Sequence, residues 1–185
     1  MKNKYNLTKE QNIFLAKKKL IENIYSGARV EGLNVTYPET QAIVDGINVA
    51  HLSIDDILVI RNLKNAWKFV LEIIEKETDL DFLLRINEDV SRGESLDWGR
   101  LRTGQAGIGG TNYLPPIPEE NNVRECIQKI IDKNFSDTEK AIELYMYCCK
   151  SQLFWDGNKR TAFIFANKYL ISKGCGLLSI KDEDI

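Results

Sequence analysis

Residues Gln152 to Phe163 read QLFWDGNKRTAF, and this stretch decides how the rest of the chain is read. Asp156-Gly157-Asn158 closes one helical pattern, and Lys159-Arg160-Thr161-Ala162 opens the next. Glycine at 157 lets the backbone turn tightly and lets a ligand approach closely. The first N–H groups of the following helix then point the same way, with the positive end of the helix dipole behind them. Lys159 and Arg160 add full positive charge, and Asp156 is placed to hold Mg²⁺, which bridges phosphate oxygens. Together these features describe a site for a di- or triphosphate. The same residues also suit a plain inter-helix turn followed by a solvated basic face, with roughly equal weight, because short motifs match by chance. Phe154 and Trp155 beside the turn read as core packing.

Outward from this segment, most of the chain reads as helix. Starts are marked by capping boxes at Thr8/Gln11, Thr36/Glu39, Ser53/Asp56, Thr78/Asp81 and Ser136/Glu139, in which the hydroxyl and the residue three places on satisfy each other's backbone. Apolar residues recur at helical spacing in three stripes. One is Ile57, Ile60, Leu63, Trp67, Val70, Leu71 and Ile74; a second is Ile142, Tyr145, Cys148 and Cys149. The third is Ala162, Phe165, Ala166, Tyr169 and Leu170, stopping at Gly174. Residues 99–118, GRLRTGQAGIGGTNYLPPIP, hold five of the twelve glycines and three of the four prolines. Helix is excluded there, and a short β-hairpin followed by a proline-stiffened extended piece is expected. The tail contains a strand-like LLSI at 177–180 and then an acidic end.

Composition narrows the classes. The 185 residues suit a single domain, and 25 basic against 27 acidic residues give a net charge of −2. That balance argues against a general nucleic-acid binder. The apolar runs are short and interrupted, so no membrane span is expected, and MKNKYNLTKEQ has no apolar core of a signal peptide. A cytoplasmic location follows, and Cys126, Cys148, Cys149 and Cys175 are expected as free thiols. The lone His51 removes nearly all histidine-based chemistry and reads as a surface or capping residue.

The 152–163 segment resembles the Fic motif, H-P-F-x-[D/E]-G-N-G-R-x-x-R, of the Fic/Doc proteins, with Phe154, Asp156, Gly157, Asn158 and Arg160 on matching positions. Two further features sit where that family places them. Residues Arg102 to Thr111 resemble the flap that aligns a target chain beside the nucleotide. Arg29-Val30-Glu31-Gly32, before the capped helix at Thr36, resembles the [S/T]-x-x-x-E-[G/N] inhibitory motif. The helix carrying Ala166 and Asn167 is similar to the helix that follows the motif. The resemblance spans about residues 26–180. It implies a mainly α, Fic-type helical bundle with a small β-hairpin flap, one domain over 1–185. Within it, 1–50 would be an N-terminal helical and inhibitory segment and 51–180 the Fic core.

The resemblance also implies a function: AMP transfer from ATP to a protein hydroxyl, with Mg²⁺. It places Gln152 at the catalytic histidine position and Asn158 and Arg160 among the working residues. Gly157, Asn158, Lys159 and Arg160 would bind nucleotide, ATP or ADP, and Asp156 the metal. Glu31 would inhibit, and Arg102, Thr103, Gly104, Gln105, Ala106, Gly107 and Ile108 would meet a protein target. The chain departs from the pattern at three positions. Gln152 cannot take a proton near neutral pH, and a general base contributes roughly 10²- to 10⁴-fold, so transfer is expected to be impaired. Lys159 replaces the second motif glycine, as in Doc proteins, which transfer the γ-phosphate; a phosphotransferase is therefore an alternative. Phe163 replaces the last motif arginine, the usual partner of the inhibitory glutamate, so Glu31 is expected to pair with Lys159 or Arg160, or else to be a solvated loop carboxylate. A catalytically inactive binding module is the third reading.

Overall fold

The computed structural model describes residues 1–180. Among them are eight α-helices and no β-strand: α1 (Lys9–Lys18), α2 (Leu20–Val30), α3 (Tyr37–Val44), α4 (Ile54–Glu72), α5 (Leu80–Val90), α6 (Glu120–Ile131), α7 (Asp137–Ser151) and α8 (Asn158–Ser172). The acidic end expected after Ile180 lies outside the described residues. No described helix is long and apolar enough to cross a membrane.

The capping boxes at Thr8, Thr36, Ser53 and Ser136 are all formed, each with both reciprocal hydrogen bonds. The start of α5 is different. Its N-cap is Asp79, whose carboxylate accepts from the Phe82 N–H at 2.9 Å. Thr78 was displaced from that role because its hydroxyl accepts from Lys168 Nζ at 2.8 Å.

The bundle is organised around α8. Every residue from Asn158 to Ile171 is buried except Lys159, so this helix is a central post rather than the one-sided stripe expected. α7 packs along it, α5, α4 and α1 close further sides, and α2 packs on α4 and reaches α8. In α4 the buried line is Val59, Ile60, Leu63, Ala66, Trp67 and Val70, with Ile57 and Leu71 only half-buried and Ile74 beyond the helix end. The α7 stripe is rotated from its expected phase. Ala141, Leu144 and Cys148 face the core, while Ile142 is exposed and Tyr145 and Cys149 are half-buried.

Two expected β features are absent among the described residues, for a shared reason: side chains take over the backbone pairing that a ladder would supply. In the tail, the Asn167 amide accepts from the Leu178 N–H at 2.9 Å and donates to the Leu178 carbonyl at 3.1 Å. Asn12 brackets Gly176 in the same way, at 2.6 and 3.0 Å. In the loop, three prolines lack N–H donors. A buried guanidinium joins the loop's two ends in place of a hairpin ladder.

Candidate functional site

The segment between α7 and α8 is built in three steps. α7 ends when Gln152 turns left-handed, at φ 44° and ψ 60°, the only non-glycine residue with positive φ among those described. Its side-chain Nε2 folds back and donates to the Cys149 carbonyl at 2.7 Å, capping its own helix. Leu153 and Phe154 then bury against the core, and Asn158 closes the turn. The Asn158 amide accepts from the Phe154 N–H at 2.9 Å and donates to the Phe154 carbonyl at 2.8 Å. Both polar ends of Asn158 are thus committed to the turn, so this residue shapes the site rather than reaching out of it.

α5 fixes the turn from below. Asn87 donates to the Asp156 carbonyl at 3.1 Å and to the Thr161 hydroxyl at 3.2 Å, and Ser91 donates to the same Asp156 carbonyl at 3.0 Å. Gly157 lies flat against this pair. Its φ is +70°, and a Cβ there would sit 2.3 Å from Ser91 Oγ and 2.8 Å from Val90. Only glycine meets both demands. α8 then starts, and the N–H groups of Asn158, Lys159 and Arg160 have no acceptor among the described residues; the first intrahelical bond runs from Thr161 to Gly157.

The charged residues divide sharply. Arg160 is 1% exposed, although its position suggested a phosphate contact. Its guanidinium meets three carboxylates: Glu31 at 3.0 Å through Nε, Glu94 at 2.6 Å through Nη1, and Asp156 at 3.5 Å through Nη2. Of the two partners expected for Glu31, Arg160 is the one it pairs with. Lys159 is exposed and donates to the Val30 carbonyl at the end of α2, at 2.9 Å. Asp156 accepts from the Gly157 N–H through Oδ1, and its Oδ2 has no partner among the described residues.

Other expected site residues lie elsewhere or do other work. Phe163, at the position of the last motif arginine, is buried in the core edge-on to Trp67, with ring centroids 6.3 Å apart. Trp155, expected in the core, is 46% exposed and lies against Gly104, where a Cβ would be 2.7 Å from its ring. Arg102, expected to face a target, is 1% exposed. It donates to the carbonyls of Gln152, Gly104, Pro115 and Pro116, and burial holds its pKa below the usual value. Thr103, Gln105 and Gly107 are exposed, and Gly104, Ala106 and Ile108 are half-buried. His51 is exposed, 3.3 Å from Glu39 and distant from the turn in the chain. Burial pushes the Cys149 thiol pKa up, against smaller opposing effects from Tyr145 and the Lys159 charge.

Asn87, Ser91 and Glu94 were not anticipated. The available signal was Asn87 itself, a polar side chain on the buried face of α5 between Leu83 and Val90. Buried polar groups need partners, and its partners are the turn.

A family model described as the Fic/DOC family matches residues 77–170, from the approach to α5 into the last turns of α8. It covers the turn, the Arg102 loop, Asn87 and Glu94, and leaves Glu31 outside. No curated protein matches the chain. Among solved structures, Fic-1 from C. elegans superposes with a TM-score of 0.76 at 18% identity, over 92% of this chain and 54% of that one. A Fic family protein from Desulfovibrio desulfuricans G20 gives 0.75 at 20%, over 87% and 51%. A Fic domain containing signaling protein from Bacteroides thetaiotaomicron VPI-5482 gives 0.74 at 21%, over 96% and 72%. The chain spans about half the length of the first two, and at these identities the likeness concerns the fold.

Proposed function

From the chain's membership of the Fic/DOC family, we propose that it binds a nucleotide, ATP or ADP, at the 156–160 turn, and that AMP transfer to a protein hydroxyl is impaired because no proton acceptor stands at position 152. The observation that carries this reading is the pairing of an open N–H nest with a capped glutamine. The nest at Asn158–Arg160 is rigidly presented, since the turn before it is held by Asn158, Asn87 and Ser91. Gln152 is committed to the Cys149 carbonyl and cannot accept a proton near neutral pH.

The residues suit Mg²⁺ as far as it needs the protein. Asp156 keeps one carboxylate oxygen free, and no cluster of three or more acidic, histidine or cysteine ligands occurs among the described residues. Such a site takes a metal brought by phosphates, not a resident one, as Mg²⁺ held by one carboxylate plus substrate oxygens requires. Bound there, Mg²⁺ would neutralise phosphate charge. The chain's own groups would do the remainder: the nest would hold a phosphate, Lys159 would add charge, and the 103–114 loop would lie beside a target chain.

A catalytically silent binding module is the second reading, favoured by the same Gln152 contact. The phosphotransferase alternative rests on Lys159, whose ammonium donates to the Val30 carbonyl while keeping its charge beside the nest. Incubation with ATP labelled separately at the α and γ phosphates separates the three. The parent is expected to incorporate little label, and Gln152→His to raise α-label incorporation by about 10²-fold or more. Histidine tolerates a left-handed backbone and is largely neutral at pH 7. Label from the γ position identifies a phosphotransferase. No label from either, with nucleotide binding confirmed, leaves the binding module.

A further inference from the structure

Glu94 stands apart from the features that family resemblance assigns. It lies in the turn after α5, and its side chain is 10% exposed, against 26% for Glu31. One of its oxygens accepts from Asn62 Nδ2 of α4 at 2.7 Å, and the other meets Arg160 Nη1 at 2.6 Å. Asn62 also donates to the Arg92 carbonyl at 2.8 Å and the Val90 carbonyl at 3.4 Å, and Arg160 Nη1 reaches the same Val90 carbonyl at 3.4 Å. One buried amide therefore fixes both the turn and the carboxylate.

We infer that Glu94, pinned by Asn62, is the permanent counter-anion of Arg160, so that withdrawing Glu31 opens the site without freeing the arginine's charge. The distinction is geometric. Glu31 is the C-cap of α2, half-buried, and leaves if that helix end moves. Glu94 is enclosed and held by a second element. A buried charge stripped of its close partners is strongly unfavourable, and of the three carboxylates Asp156 is the farthest, at 3.5 Å, which leaves Glu94 as the close partner that stays. Arg160 is then a positioning residue: through Asp156 at 3.5 Å and Val90 it ties the turn to α5, and anion attraction is left to the nest and Lys159. This inference rests on the proposed nucleotide site for its functional consequence, though not for its structural one.

Two readouts separate them. In isotope-labelled protein, slow rotation about the Arg160 Nε–Cζ bond, seen as separate Nη1 and Nη2 resonances, should persist in Glu31→Gly and be lost in Glu94→Gln. Asn62→Ala, which keeps the Glu94 charge but removes its support, should behave as Glu94→Gln and guards against a fold defect peculiar to one variant. Calorimetry with ATP and Mg²⁺ should then show little tightening from Glu31→Gly alone, and binding weaker by about tenfold or more when Glu94→Gln is added to it, because the buried arginine that ties the turn to α5 has then lost both close carboxylates. Loss of slow rotation in Glu31→Gly, or its survival in Glu94→Gln, overturns the assignment, as does a clear affinity gain from Glu31→Gly alone. Resonances as expected with no nucleotide bound by any variant uphold Glu94 and dismiss the nucleotide reading.

Discussion

The turn at 153–158 and the loop at 103–118 lie side by side, joined by the Arg102 N–H bond to the Leu153 carbonyl at 2.9 Å, yet they are held in opposite ways. The turn is held along its length: the Asp156 carbonyl by Asn87 and Ser91 of α5, both backbone groups of Phe154 by Asn158, the Gly157 N–H by Asp156 and the Leu153 carbonyl by Arg102. The loop is gripped at its two ends by Arg102, and its tip keeps only local bonds, from Thr111 to the Ile108 carbonyl and from Tyr113 to the Thr111 hydroxyl. A backbone tied this closely suits an invariant geometry such as a phosphate nest. A loop whose backbone is hydrogen-bonded to the rest of the fold only at its roots, with the Lys150 ammonium over the Tyr113 ring as a side-chain contact, presents unpaired backbone edges, the kind that accept an added strand.

The largest effect that could break this contrast is Gly157→Ala. The new Cβ meets Ser91 and Val90 at a positive φ, so a loss of about 3 kcal/mol or more is expected in chemical denaturation. Next is Arg102→Met, which strips several buried carbonyls of their donor. About 2–3 kcal/mol should be lost, with faster hydrogen exchange at both 104–116 and 151–153, because one side chain serves both segments.

A third test works at the opposite end of α8, away from both loops. Burial lowers the Lys168 pKa to about 8, while its ammonium donates to the Lys76 carbonyl and the Thr78 hydroxyl. The folded state therefore releases this proton before the unfolded state does. Between about pH 8 and 10 the unfolded chain binds more protons, so stability from this group rises with pH. The parent should gain stability relative to Lys168→Met across that window, and the difference should be flat below it. Cys148 and Cys149 of α7, whose raised pKa values act in the other direction, cancel in this difference. The smallest effect is expected for Gly107→Ala in the loop, where φ is not positive and only Leu114 is met, at 3.9 Å. A change within about 0.5 kcal/mol is expected; a loss matching that of Gly157→Ala would erase the contrast.

What was legible in the sequence was what acts locally. Capping boxes are settled within four residues, so four of five were read correctly, and the fifth failed because Lys168, 90 positions away, took the Thr78 hydroxyl. The turn was legible because Gly157 and its flanks act together in one short segment. The hairpin was misread because Arg102 replaces its ladder with bonds to Gly104, Pro115 and Pro116, on both sides of the loop, and nothing in glycine and proline spacing reports that. Glu94 and Ser91 escaped notice because their meaning comes from Arg160 of α8 and from the Asp156 carbonyl of the turn before it, more than 60 residues further on.

The most direct test of the account is calorimetric titration of the parent and of Asp156→Ala with ATP, with and without Mg²⁺. Asp156 is partly exposed, its side chain 38% accessible, so the substitution spares the core. The account predicts Mg²⁺-dependent binding to the parent and loss of that Mg²⁺ dependence in Asp156→Ala. Binding that is identical in the two proteins, or no binding to the parent at all, would contradict it.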